Sequence, residues 1–302
     1  MNKLMLATAS LAAVLTATAA SAEWKDQYKT IRFGILSGEN EKDRIARYTP
    51  FEKYLENELG VDVEIFTAGA YDGVIQAVAA DQIEFAFFGS SSYAAAYTET
   101  EGGVVPILSR VQKDGSTGYY SILVTRCDSG LNDLASLEGK VLAFADPDST
   151  SGYAVPLYNL SQQVEPKTYF KAIPFSGSHE AGVQGVVNGT FDAAATYMTN
   201  ETSGVVPRLV SKGVIDDGIV CTIWTSPEIT SGPFTARGNL PQDLIDDMQQ
   251  AVFDIVEKDP EAFRQMTGGD TSTQKGWIKV DHDRYQWIVD MREWLKKQRR
   301  SS

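Results

Sequence analysis

The segment Asp146-Pro147-Asp148-Ser149-Thr150-Ser151-Gly152-Tyr153 sets three hydroxyl residues in a row where an apolar run ends and a helical pattern begins. The first N–H groups of a helix have no intrahelical partner, and the helix dipole makes that end positive. Free amides and hydroxyls together form a ready site for an oxyanion. Ser and Thr also cap helices without binding anything, so the spacing alone leaves a plain cap and an anion site equally open. Three hydroxyls exceed what one cap requires. Pro156 falls in the first helical turns, where its missing N–H costs least.

A second corner of the same kind is Gly89-Ser90-Ser91-Ser92, with Ser90 a further candidate donor. Tyr71, Phe88, Tyr93, Tyr119 and Tyr120 stand near these turns. A tyrosine hydroxyl donates to an anion while its ring shields the site from water. Phe88 and Tyr93 read as ordinary core aromatics; Tyr119, after the turn Asp114-Gly115-Ser116-Thr117-Gly118, does not fit that reading as well. His179 follows Gly177-Ser178 at another helix start, where it could donate to an anion, more strongly if protonated. Taken alone, it reads as structural. His282, among Asp281, Asp283 and Arg284, reads as solvated surface.

Other chemistry is poorly served. The two cysteines and two histidines match no zinc spacing, and Val183 stands where H-E-x-x-H needs its second histidine. No G-x-S-x-G elbow occurs, and a nucleophile would need Ser149 or Ser151 paired with His179 from a separate turn. No catalysis, metal or cofactor is therefore expected. A net charge of −13 speaks against nucleic acid or an anionic membrane surface as partner. It does not exclude a small anion, because charges beyond ~8 Å are screened and local donors decide.

These residues need a scaffold. Residues 1–22 read as a signal peptide: Lys3, an apolar stretch from Leu4 to Ala20, and Ala20-Ser21-Ala22 as the cleavage pattern. No cysteine lies at the cut, so a free, exported protein is expected, most simply in a bacterial periplasm. Strands are expected at 31–36, 61–67 and 83–88, with helices at 48–59, opened by Thr49-Pro50, and 71–80 between them. That β-α-β-α-β order implies a parallel sheet flanked by helices. It recurs with strands at 141–144, 171–175 and 191–196 and helices from Ser151 and Glu180, giving a second lobe. The uncharged runs 119–125 and 220–225 suit two crossings, so one lobe is expected from 23–125 plus 223–302 and the other from 126–222. Cys127 and Cys221 lie at the ends of those runs and would meet if the runs lie side by side. A disulfide there is expected in an oxidising compartment, stabilising by ~2–4 kcal/mol. Near the C-terminus, 241–257 and 281–298 read as amphipathic helices. The stripe Trp287, Ile288, Met291 and Trp294 should pack onto a lobe.

The sequence resembles the phosphonate-binding proteins of bacterial ABC importers, within the wider periplasmic binding-protein superfamily. The likeness runs from about Ile31 to about Leu240. It is strongest at Tyr48-Thr49-Pro50-Phe51, Tyr71-Asp72-Gly73-Val74-Ile75-Gln76, Asp114 through Ser121, and Asp146 through Gly152. It implies two α/β lobes, each with a mainly parallel sheet, joined by a two-strand hinge and closing over a ligand. By that resemblance Ser149, Thr150 and Ser151, with Tyr71, Tyr119 and His179, would hold the phosphonyl oxygens. The partners implied are a phosphonate, phosphite or related phosphorus oxyanion and an inner-membrane permease, the receptor itself acting as a monomer. A sulfonate or other small oxyanion in the same fold is the alternative. Members that bind aminoalkylphosphonates are expected to place carboxylates near the amine. Here Thr199 and Gly232 stand at those positions, with Glu201 close by.

Overall fold

A computed structural model of the protein describes residues 23–269 and 272–301. The expected signal segment, 1–22, lies outside the described residues. β1 (Thr30–Ile35), the helix Glu41–Leu59, β2 (Asp62–Thr67), the helix Tyr71–Ala79 and β3 (Phe85–Phe87) follow in order. β1 pairs in parallel with both β2 and β3, Phe33 standing opposite Ile65 and Phe85. The first of these helices begins about two turns before the expected residue 48. Asn40 caps it by accepting from the Asp43 N–H at 3.3 Å, and Pro50 lies in its interior. The charged stretch Glu41-Lys42-Asp43-Arg44 concealed that start, and Thr49-Pro50 mimicked another. Gly60 ends the helix at φ 67°, a left-handed conformation that suits glycine.

The later strands are β4 (Val104–Gln112), β5 (Gly118–Arg126), β6 (Leu142–Ala143), β7 (Ala193–Asn200), β8 (Ser203–Gly204), β9 (Val220–Thr225), β10 (Ile229–Thr230), β11 (Pro233–Arg237) and β12 (Gln274–Lys279). They form two six-stranded sheets. One has the order β12-β4-β11-β3-β1-β2; the other runs β10-β5-β7-β6, with β8 on β7 and β9 on β5. The two-lobe α/β architecture is as expected, but the sheets are mixed rather than mainly parallel. β11 and β12 join the first sheet after the chain has returned from the second, and both enter antiparallel.

The uncharged runs at 119–125 and 220–225 do not bridge the lobes. Both are strands of the second sheet, paired antiparallel with Thr125 opposite Cys221. In 119–125 the lack of charge reflects burial, since Ile122, Leu123 and Val124 are almost wholly enclosed, whereas 220–225 is half-buried to exposed. The chain passes between sheets at 113–117 and 231–232. Cys127 and Cys221 form a disulfide with Cα atoms 4.9 Å apart, so the bond ties β5 to β9 within one lobe. The expected strand at 171–175 reduces to two isolated bridges, Ala172 to Val141 and Phe175 to Phe144.

One apolar core, including Phe33, Phe51, Phe85 and Phe234, lies beneath the helices Glu41–Leu59 and Gln242–Lys258, and a second includes Ile75, Ile83 and Tyr93. The second sheet carries a cluster on each face. The C-terminal helix Gln286–Ser301 packs its apolar stripe as expected: Ile288 is buried, and Trp294 meets Tyr158 edge-on at 5.0 Å. Among the described residues, no helix is long and apolar enough to cross a membrane.

Candidate functional site

The Asp146–Gly152 turn is held from several sides. Ser149 caps the helical turn after it by accepting from the Gly152 N–H at 2.9 Å. Thr150 Oγ1 accepts from the Ser91 N–H at 2.8 Å, joining this corner to the Gly89–Ser92 corner of the other lobe. Ser121 donates to the Ser151 carbonyl at 2.6 Å. The helix opens with a wide turn, Thr150–Ala154, before regular geometry over Val155–Ser161. Gly152 is required here. A β-carbon would lie 2.8 Å from both His179 Cε1 and Ser149 Oγ and 2.5 Å from the Ala145 methyl.

The acids of the segment turn away from this corner. Asp146 accepts from the Tyr71 N–H at 3.1 Å across the cleft and from the Asp148 N–H at 2.8 Å. Asp148 pairs with Arg292 at 2.8 Å. The Thr150 and Ser151 N–H groups meet no acceptor among the described residues. They remain as donors beside a cavity of about 240 Å³ between the lobes.

Tyr71, Tyr119, Ser149, Thr150, Ser151 and His179 all line that cavity, and Thr199 joins them. A β-carbon at Gly38 would sit 3.3 Å from the Tyr71 hydroxyl and 3.5 Å from His179 Cδ2, so those two groups converge on one space. Burial, with the Asp146 charge behind it, pushes the Tyr71 phenol far above its ordinary pKa. Burial raises Tyr119 to about 12, partly offset by the nearby Thr150 and Ser151 hydroxyls. Both phenols therefore keep their protons as donors. His179 opens the helix His179–Val187, which Ser178 caps through the Ala181 N–H at 3.1 Å. Its Nε2 lies 3.3 Å from Ser149 Oγ and its Nδ1 3.2 Å from Thr196 Oγ1. Burial, then the Arg208 charge, drives its pKa down to about 3. The ring is neutral and offers one N–H, not the two of an imidazolium.

Two candidates fall elsewhere. Ser90 donates to the Thr230 carbonyl at 2.7 Å and does not line the cavity. Glu201 is exposed on the turn between β7 and β8, also outside it. Gly232 lines the wall but admits no side chain, because a β-carbon would run into the Phe88 carbonyl oxygen.

Sequence reading missed the arginines. Arg44, Arg47, Arg110 and Arg208 line the cavity, with Glu39 the one carboxylate among them. Glu39 is buried, which opposes its charge, yet Arg47, Arg208 and Lys212 hold its carboxyl below the usual range. Glu180, from the second lobe, accepts from the Asn40 N–H at 3.0 Å and lies 3.5 Å from Arg208. Arg44, Arg47 and Arg208 lie in helices, where charged residues look like a solvated face, and Arg110 lies in a strand, so pattern alone gave no signal for them. Among the described residues, no group of three or more His, Cys, Asp or Glu is placed to hold a metal ion.

Two α/β lobes with helix-start amides, hydroxyls and phenols facing one cleft make a two-lobe architecture suited to enclosing a small oxyanion. Residues 33–285 match the family described as ABC transporter, phosphonate, periplasmic substrate-binding protein, and the chain belongs to that family. It is 31% identical over 261 residues to the phosphate-import protein PhnD of Mycolicibacterium smegmatis, covering 81% of this chain and 79% of that one. To the phosphonates-binding periplasmic protein of Escherichia coli it is 32% identical over 224 residues, covering 72% of this chain and 64% of the relative. The structure of PhnD1 from Prochlorococcus marinus in complex with methylphosphonate superposes with TM-score 0.77 at 23% identity, covering 89% of this chain and 99% of that one.

Proposed function

We propose that this protein captures a phosphorus oxyanion, such as a phosphonate, phosphite or phosphate, between its lobes and delivers it to an ABC permease in the inner membrane. The observation that carries the reading is the convergence of the Ser149–Thr150–Ser151 corner, two protonated phenols and a neutral histidine on one cavity. Ser149, Thr150, Ser151, Tyr71, Tyr119 and His179 hold the phosphoryl oxygens, and Thr199 flanks them. Hydrogen bonds to a charged group contribute about 1.5–3 kcal/mol each, so a few reach micromolar affinity after ordering costs. The M. smegmatis relative is named for phosphate and the P. marinus protein holds methylphosphonate. Both ligands present the same tetrahedral face.

The receptor acts without catalysis. His179 Nδ1 faces a threonine rather than a carboxylate, and a ring with its pKa near 3 is a weak base for activating Ser149. The leader 1–22 directs export, and the exposed disulfide suits an oxidising periplasm. The protein works as a monomer, its lobes hinging at 113–117 and 231–232, close to the strand pair that first suggested lobes of 23–125 plus 223–302 and 126–222. Isothermal titration with methylphosphonate, phosphite, phosphate and methanesulfonate tests the assignment. Micromolar or tighter binding of a phosphorus oxyanion is expected; no heat from any of the three overturns it.

A further inference from the structure

One end of the cavity, two strands of the first sheet away from the approach of Gly89 to Thr150, holds a cation, Arg110. Arg110 stands in β4 opposite Trp277 of β12. Its guanidinium lies over the Phe87 ring at 5.7 Å and the Trp277 ring at 5.8 Å, and its Nη2 donates to the Tyr48 hydroxyl at 3.1 Å. All four residues line the cavity that holds Ser149, Thr150 and Ser151.

Its charge is uncommitted. Arg47 and Arg208 are ion-paired with Glu39, and Arg44 donates to the Leu36 carbonyl at 2.9 Å with Glu41 at 4.0 Å. Arg110 has no carboxylate within 4.0 Å among the described residues. The one lining carboxylate, Glu39, is already ion-paired with Arg47, Arg208 and Lys212, its Oε2 making no hydrogen bond of its own. An ammonium group entering this end finds a cation and no free anion. A carboxylate finds a planar, ring-held fork suited to two parallel hydrogen bonds. β4 lies two strands from β3, which leads into Gly89 facing Thr150. That is about 10 Å at the backbone, part of it spanned by the arginine itself, so a short ligand reaches both ends.

We propose that Arg110 reads the substituent of the bound phosphonate and selects ligands whose far end is anionic, a short phosphonocarboxylate, over those ending in an amine. The inference rests on the receptor reading above and adds the ligand class. Titration of the wild-type protein with 3-phosphonopropionate, methylphosphonate and 2-aminoethylphosphonate reads the preference directly. Binding of 3-phosphonopropionate at least tenfold tighter than 2-aminoethylphosphonate is expected. Arg110→Gln should then cut the ratio of 3-phosphonopropionate to methylphosphonate affinity by at least tenfold, with Arg110→Lys restoring part of it. Equal or better binding of the amine overturns the proposal, and so does a ratio unmoved in Arg110→Gln, which would leave Arg110 a packing residue. Should Arg110→Gln not fold, Arg110→Lys carries the same test, a smaller fall in the ratio being expected and an unmoved ratio overturning the proposal. Absence of heat from every phosphonate is a different result: it removes the receptor reading and this one with it.

Discussion

At Ser149, Thr150 and Ser151 the sequence shows hydroxyls but not their different duties. Ser149 Oγ accepts from the Gly152 N–H and Thr150 Oγ1 from the Ser91 N–H, so both are structural as well as exposed to the cavity. No N–H donates to the Ser151 hydroxyl among the described residues, its neighbour being the Tyr119 phenol, which makes it the cleaner probe. Ser151→Ala should weaken methylphosphonate binding about tenfold while the unliganded protein melts within a degree or two of wild type. Thr150→Ala should in addition lose about 1–3 kcal/mol of stability, because a buried N–H is left unpaired. Equal melting temperatures for the two variants would contradict that division. His179 carries a pH signature. Its pKa is about 3 in the fold against 6.5 for the free side chain, so between those values the unfolded chain takes up a proton that the fold refuses. Above about pH 6.5 the residue costs nothing; as pH falls from there toward about 3 it progressively destabilises the unliganded protein. His179→Asn should lose stability less steeply over that window in thermal melts, and an unchanged slope would refute the assignment. The site was legible where chemistry and turn coincide, as at 149–151. It was illegible at Arg47 and Arg208, whose partners include chain distant in sequence: the Met266 carbonyl for Arg47 and Glu39 for Arg208.

At the level of elements, local punctuation was readable and long-range pairing was not. Gly60 as a helix stop and Tyr71 as a helix start follow from neighbours in the chain. The placement of β5 and β9 does not, since an uncharged extended run looks the same whether it crosses between lobes or lies buried within one. The disulfide draws its consequence from that placement. Because it joins β5 to β9 inside the second lobe, it constrains that lobe's unfolded chain and leaves the passages at 113–117 and 231–232 free. Replacing Cys127 and Cys221 together by serine should cost ~2–4 kcal/mol of stability. Methylphosphonate affinity should stay within about twofold, since neither residue touches the cavity. Denaturant unfolding and titration of the same double variant measure both. A large loss of affinity would show that the bond shapes the cleft after all.

Over the whole molecule, the lobes meet through polar contacts of their own. Asp146 accepts from the Tyr71 N–H and Glu180 from the Asn40 N–H, while Lys212 lies 2.8 Å from Asp43 and Arg208 3.6 Å from Glu39. Residues 39–71 lie with the first sheet and 146–212 with the second, so parting the lobes would break these bonds. Each adds to the free energy of closure independently of what the cavity holds, and binding affinity includes that contribution. Glu180 sits at the centre of the set, facing Arg208, Lys212 and the Asn40 amide, with its side chain 8% exposed. Burial keeps salt from screening this group as it would a surface pair. Glu180→Gln keeps the shape but removes the charge. Small-angle scattering of the unliganded variant should therefore show a larger radius of gyration than wild type. Phosphonate release in stopped-flow should be several-fold faster, with association little altered, because the latch forms only once the lobes have met. If radius and release both match wild type, the Glu180 charge contributes nothing to closure, which then rests on the ligand and on the remaining contacts between the lobes.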